Sequence, residues 1–354
     1  MRGSAETFGP MFVYVTTEQF VSKNHPLRSL KPLVDAALSK LDRDFDALYS
    51  KTGRPSVPPE YLLRGLVLQF VYSIRSHVVL MDRVKSDMAF RWFIGLAIDD
   101  KVWDQSVFSY NQDRLIKADI GRRFLDEVTK QAAAKGLLSN DHFSVDGTLL
   151  ESLASIKSFR PKDDDDSDKP AGNFKGEKLS NETHRSTTDP DARLSKKSKG
   201  SSAKLCVMGH ALSENDNGFV TQIEVTHADG TAERRAAKQM VKRQKGNRAK
   251  RITVAADKGY DTPDFVKEMR KLKVTPHVAS KKKGTAVDGR TTRHATYRQS
   301  MKNRKKIEEF FGWAKVIAGF RKLRHVGLEK IRFYFTLAAG CFNLVKMRNL
   351  IAQT

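Results

Sequence analysis

The sequence predicts an α/β protein, with an all-helical N-terminal domain over residues 1–136 and a mixed sheet flanked by helices over residues 137–354. Three observations carry that prediction. Apolar residues recur at helical spacing, with matching start and stop residues, up to Gly136. Short alternating strands begin at HFSVDGT, and a polar stretch over about 155–203 separates the first strand from the rest.

In the helical part, Leu41, Phe45 and Leu48 stand at i, i+4 and i+7 and form one apolar face. Pro58 and Pro59 suit the first turn of a helix through EYLLRGLVLQFVYSIRS, where a missing N–H costs nothing. Ser76 is placed to cap the next helix, HVVLMDRVKSDMAFRWFIGL, which Gly95 ends. Further helices are expected through YNQDRLIKAD and RRFLDEVTKQAAAKG. A helix-turn-helix and a plain helical bundle both fit this pattern.

After Gly136 the period changes. In HFSVDGT, Phe143 and Val145 alternate with Ser144 and Asp146. The stretch 155–203 holds the acidic run Asp163–Asp166 and many Ser, Lys, Asn and Pro residues. Such a composition cannot build a core alone, so it is expected to be a long loop or partly disordered insertion, its aspartates solvated. Strands LCVMGHALSE and GFVTQIEVTHA follow, with a turn at Asn215–Gly218. Then come a basic helix over about Ala232–Arg243, strand RITVAAD, helix DTPDFVKEMRKL and strand VTPHVAS. A very basic loop, Lys281–His294, leads to a helix over about Ser300–Ala318. This order is that of the RNase H-like fold. The apolar stretch Ile331–Leu350 carries Arg332, Lys346 and Arg348, so it reads as a packed helix, not a membrane span.

The 354 residues carry a formal net charge of +23, with 39% hydrophobic residues to form a core. Such an excess repels itself unless a polyanion neutralises it, which points to nucleic acid. The two cysteines, Cys206 and Cys341, lack CxxC spacing, so neither a disulfide framework nor a structural zinc site is readable. The N-terminus lacks a signal-peptide core, and a cytoplasmic, nucleoid-associated location is expected. There is no Walker A loop and no GxGxxG, so nucleotide-driven chemistry has no support.

Three carboxylates stand in contexts suited to phosphoryl transfer. In-line attack on phosphorus is served by two divalent cations about 3.5–4 Å apart. Carboxylate oxygens suit magnesium, provided that they converge from rigid elements. Asp146 ends the first strand, followed by Gly147; Asp257 ends RITVAAD; Glu308 lies on the late helix. An aspartate at a strand end is usually only a turn residue, so the signal is in the combination. Arg304, Glu308 and Lys315 stand at i, i+4 and i+11 and share one helix face, with the two cations placed to clamp phosphates. The bland alternative is a surface Arg–Glu pair of little worth. Glu309, the rival acid, is rotated about 100° off that face.

At these residues the chain resembles the DDE insertion-sequence transposases, most closely the insertion sequence five group. The matching segments are SVDGTLLESLASIKSFRPKD, STTDPDARLSKK, LCVMGHALSENDNGFV, ADKGYD and RKKIEEFFGWAKVIAGFRKLRHVG. The resemblance reaches back through WDQSVFSYNQDRL and covers nearly the whole chain. It implies that Asp146, Asp257 and Glu308 form a catalytic, metal-binding triad for two Mg2+ ions, with Mn2+ able to substitute. It also implies cleavage at transposon-end inverted repeats, strand transfer into target DNA, and a homodimer or higher assembly on DNA, in a bacterial-type protein. The family's Tyr-x2-Arg-x3-Glu-x6-Lys signature is matched by Arg304, Glu308 and Lys315, whereas its tyrosine position is Met301; Tyr297 lies one turn earlier. DNA contacts are assigned to Arg304, Lys315, Tyr260 and Lys258.

Two further residues are weighed. His210 faces the site from the second strand or is structural, and Trp313 stacks on a base or packs in the core. The competing functions are a catalytically silent DNA-binding regulator and an RNase H-like nuclease without strand transfer.

Overall fold

A computed structural model describes residues 15–50, 52–162, 179–196 and 200–353. The N-terminal part holds α1 (Thr17–Phe20), α2 (Pro26–Ser39), α3 (Asp42–Leu48), α4 (Pro59–Val71), α5 (His77–Ser86), α6 (Met88–Ile94), α7 (Ser106–Lys117) and α8 (Ile120–Ala134). The remainder contributes β1 (His142–Glu151), β2 (Phe159–Pro161), β3 (His184–Ser186), β4 (Arg193–Ser195), β5 (Lys204–Glu214) and β6 (Val220–His227). It continues with α9 (Ala232–Lys245), β7 (Ile252–Ala256), α10 (Pro263–Lys271), β8 (Val274–Val278), α11 (Gly289–Thr292), α12 (Tyr297–Asn303), α13 (Lys306–Val316) and α14 (Leu328–Ile351).

Local chemistry sets the helix ends. α4 starts at Pro59 but stops before the expected Ser76, where Ser73 takes a left-handed φ of 54°. Ser76 caps α5 by accepting from the Val79 N–H at 3.3 Å. The single helix expected up to Gly95 is two. The Asp87 carboxylate accepts from Ala89 and Phe90 N–H and starts α6, a local bond that competes with helix continuation. Gly95 then ends α6 at φ 103°, where a Cβ would be strained.

The main sheet runs β4/β6–β5–β1–β7–β8, with β4 and β6 paired to successive parts of one edge of β5. β1 is antiparallel to β5 and parallel to β7, and β7 is parallel to β8. This is the RNase H-like arrangement. One face, with Phe143, Val145, Val254 and Ala256, packs on α9 and α10 through Met240, Val241, Phe265 and Met269. The other face, with Leu150, Val207, Ala211 and Val220, packs on α13 and α14.

The described parts of the polar stretch after β1 form β2 and β3, paired antiparallel, and strand β4, around a small core of Ala154, Phe159, Ala192 and Leu205. Asp189 is buried and accepts from Ser152 Oγ at 2.7 Å, and Asp191 accepts from the Leu328 N–H at the start of α14. The segment thus borrows partners from the sheet and α14 instead of building its own core. The run Asp163–Asp166 lies outside the described residues.

The hydrophobic core does not stop at Gly136. It runs without a break from Leu30, Leu63 and Phe124 through Phe335 and Leu344 to Val207 and Val220. α14 is its axis, buried on most sides, and Asn343 pins it to β6 by bonding both the N–H and the carbonyl of Val220. Among the described residues no helix is long and apolar enough to cross a membrane.

Candidate active site

The site grows from the parting of two parallel strands. β1 and β7 pair only as far as Ser144 opposite Ala255. Two residues further along each chain stand Asp146 and Asp257, continuing the face of that last pair because strand side chains alternate with period two. Sequence reading puts Asp146 at the end of its strand. The structure carries β1 on to Glu151, because β5 supplies an antiparallel partner throughout; what ends before Asp146 is the pairing with β7.

Backbone N–H groups steady both aspartates. Gly147 N–H donates to Asp146 Oδ1 at 2.8 Å, and Gly259 N–H donates to Asp257 Oδ1 at 2.8 Å. Glu308 comes from the first turn of α13, where the helix dipole favours a carboxylate. It is exposed. Burial pushes the Asp146 carboxyl up to about 6, the Gly147 N–H opposes this, and the charges of Asp257 and Glu308 raise it further while Arg304 lowers it. Those influences place three carboxylates and one guanidinium in a single neighbourhood. Glu309 instead turns to α14, where it pairs with Lys346 at 2.7 Å.

The unbroken helix expected over Ser300–Ala318 is interrupted. Arg304 and Lys305 lie between α12 and α13, where Ile307 and Glu308 N–H bond back three residues to the carbonyls of Arg304 and Lys305. The turn tightens but stays right-handed, which keeps Arg304 within electrostatic reach of Asp146. Lys315 donates to Thr148 Oγ1 on β1 and lines an open cavity of about 1100 Å³ with Gly147, Glu233 and Arg235. Arg298, Lys302, Arg304 and Lys305 form no salt bridge among the described residues, whereas Arg235, Lys238 and Arg243 of the other basic run do. Met301, at the signature tyrosine position, is half-buried, and the Tyr297 hydroxyl donates to the Val278 carbonyl at 3.0 Å.

One expected DNA contact needs correction. Tyr260 is fully buried against Phe265, so its ring is not available to a nucleic acid. Its hydroxyl has no hydrogen-bond partner, and Glu233, Asp146 and Asp257 all raise its pKa after burial. Trp313 is half-buried and packs on Phe342 with ring centroids 5.8 Å apart, which favours the packing reading over base stacking. Lys258 is exposed beside Asp257. His210 is fully buried, with Nε2 at 2.9 Å from Thr226 Oγ1 and Nδ1 without a partner; burial lowers its pKa to about 4, so it is neutral at pH 7. Sequence reading missed Glu233, at the start of the basic helix α9, whose pKa is raised by burial and by Asp257 and Asp146.

All these donors are carboxylate oxygens, the type that hard divalent cations take. A half-buried aspartate crowded by two like charges is an excess of negative charge that a cation relieves. Among the described residues, no three such groups yet stand close enough to enclose an ion by themselves. Magnesium-type sites need no such cage, because waters and substrate phosphates complete the shell.

Two family models match the chain, "Transposase domain (DUF772)" over residues 15–114 and "Transposase DDE domain" over residues 180–344. The chain belongs to the DDE transposases. It is therefore a DNA transposase, an enzyme that uses divalent metal ions. The matched DDE stretch includes Asp257 and Glu308, while Asp146 precedes it. No curated protein matches. Among solved structures, the piggyBac transposase synaptic complex with hairpin DNA is similar at a TM-score of 0.43 and 11% identity, covering 93% of this chain and 76% of that one. A pre-cleavage Mos1 transpososome is similar at a TM-score of 0.21 and 8% identity, covering 82% and 98% respectively.

Proposed function

We propose that this transposase cuts phosphodiester bonds at the inverted-repeat ends of its element and joins the freed 3′-hydroxyl to target DNA, with Asp146, Asp257 and Glu308 as the metal-holding triad. The observation that carries the assignment is the shared electrostatic neighbourhood of those three carboxylates at the point where β1 and β7 part. Two magnesium ions, when bound there, would activate the attacking oxygen and stabilise the leaving one. Asp146 and Asp257 hold their carboxylates at fixed positions through main-chain N–H bonds. Glu308 adds a third carboxylate from α13. Arg304 and Lys315 supply positive charge beside the scissile phosphate, and the unpaired cations of residues 298–305 track the DNA backbone, which makes binding steeply salt-dependent. The helices before Gly136 serve DNA binding or dimerisation, and two ends handled together call for a dimer or larger assembly.

The test is cleavage of a labelled transposon-end duplex in magnesium or manganese. Wild type is expected to cut and leave a 3′-hydroxyl, while Asp146→Ala, Asp257→Ala and Glu308→Gln bind but do not cut. Cutting by Glu308→Gln and not by Glu309→Gln would move the third acid by one residue. Tight end binding by every protein without any cutting would leave a DNA-binding regulator.

A further inference from the structure

Glu233 approaches the site from the side opposite α13. The side chains of Phe143 and Val145 point from β1 towards α9, and Gly147 continues that alternation. A Cβ added to Gly147 would stand 2.9 Å from His210 Nδ1, 3.1 Å from Glu233 Cγ and 3.3 Å from Glu233 Oε1. A Cβ added to Gly259 would stand 3.0 Å from Asp257 Oδ1 and 3.7 Å from Glu233 Oε2. The Glu233 carboxylate therefore spans from the residue after Asp146 to the residue that holds Asp257. Two glycines, one beside each aspartate, leave it room.

Nothing within the fold accounts for that carboxylate. Glu233 accepts no hydrogen bond and forms no salt bridge among the described residues; Arg234 is the neighbour that favours its charge, against burial and the charges of Asp257 and Asp146. Two buried polar atoms nearby have no partner: His210 Nδ1, which shares with Glu233 the space a Gly147 Cβ would take, and the Tyr260 hydroxyl, which feels the charges of Glu233, Asp146 and Asp257; both side chains have no exposed surface. Buried polar atoms are almost always paired, so two unpaired ones beside a crowded carboxylate mark a place that something else completes.

We propose that Glu233 is a fourth metal-facing carboxylate, reaching through the gap left by Gly147 and Gly259 to the divalent ion that Asp146 and Asp257 would hold. This rests on the triad reading above. His210 and Tyr260 are positioning residues: the Tyr260 phenol would offer the Glu233 carboxylate a hydrogen bond, and His210 would do so from Nδ1–H in the tautomer whose Nε2 accepts from Thr226 Oγ1. Groups that only orient a metal ligand are worth about 10–100-fold in metal affinity, and a carboxylate facing the ion is worth no less.

The test is Mn2+ binding to the full-length protein, followed by calorimetry, with apo-protein melting measured in parallel. Glu233→Gln is expected to weaken Mn2+ binding by about 10-fold or more without lowering the apo Tm, since the substitution relieves repulsion from Asp257 and Asp146. Unchanged Mn2+ binding in Glu233→Gln, with loss in Asp146→Asn and Asp257→Asn, overturns the inference and leaves the triad standing. Unchanged binding in all three variants overturns the triad reading and this inference with it. A Glu233→Gln protein that loses affinity only together with a collapse in Tm also counts against it.

Discussion

Asp146 and Asp257 sit on main chain that the sheet holds rigid, each steadied by a backbone N–H at 2.8 Å. Glu308 is exposed, its carboxylate accepts no hydrogen bond among the described residues, and it rides on a short helix that starts just after the break at Arg304–Lys305. The difference suggests a division of labour. On the proposed triad reading, main-chain bonds fix two carboxylates before DNA arrives, while the Glu308 side chain is left to turn against the substrate from α13, which buried Ile307, Phe310 and Phe311 and the Lys315–Thr148 bond hold in place.

The largest effect should come from asking how much displacement each acid tolerates. Asp146→Glu pushes a longer carboxylate into the parting between β1 and β7, and misplacement of about 1 Å costs on the order of 100-fold. The expected loss in single-turnover cleavage is therefore about 100-fold or more. Glu308→Asp should lose only about 10-fold, because no hydrogen bond fixes that exposed carboxylate in advance. Equal losses for the two variants would break the distinction.

Gly147→Ala tests the crowding on the sheet side. Its Cβ would meet His210 Nδ1 at 2.9 Å and Glu233 Cγ at 3.1 Å, so β1 or α9 must shift. A destabilisation of about 1–3 kcal/mol is expected in denaturant unfolding, as for other overpacked sites. An unchanged midpoint would mean that Glu233 swings away freely and that the site is looser than its geometry suggests.

Removing the neighbouring acid should matter least. Glu309→Gln loses an ion pair with Lys346 in which the glutamate is 55% exposed, worth at most about 1 kcal/mol after solvent screening. Cleavage by the variant should stay within about twofold of wild type, as expected for a surface change away from the reacting groups.

Much of this was legible in the residues, and the exceptions share a physical reason. The order of strands and helices followed from periodicity and caps, and Asp146, Asp257 and Glu308 were singled out for the proposed triad because strand ends and a helix face are places where carboxylates converge. Local pattern says nothing about partners distant in sequence. It therefore missed that β5 would extend β1 past Asp146, and that β5 and α14 would give partners to Arg193–Ser195 and Asp191 in the described part of the polar stretch. It also missed that α14 is the shared axis of one core spanning the N-terminal helices and the sheet. Glu233 was hidden for another reason: within AERRAAKQMVKRQK it is one acid at the start of a basic helix, where a glutamate is already explained by the dipole. The signal that finds it is the pair Gly147 and Gly259, one and two residues after an aspartate respectively. The helix breaks at Asp87 and at Arg304–Lys305 escaped because propensity and periodicity run straight through both.

The central claim is that Asp146, Asp257 and Glu308 together hold the divalent ions at one site. Replacing magnesium with Fe2+ and adding ascorbate and peroxide would generate hydroxyl radicals at that site, which cut the nearby polypeptide. The account predicts fragments ending near residues 146, 257 and 308, with all three suppressed by excess Mg2+ and by Asp146→Asn. Cleavage confined to other parts of the chain, or persisting unchanged in Asp146→Asn, would contradict it.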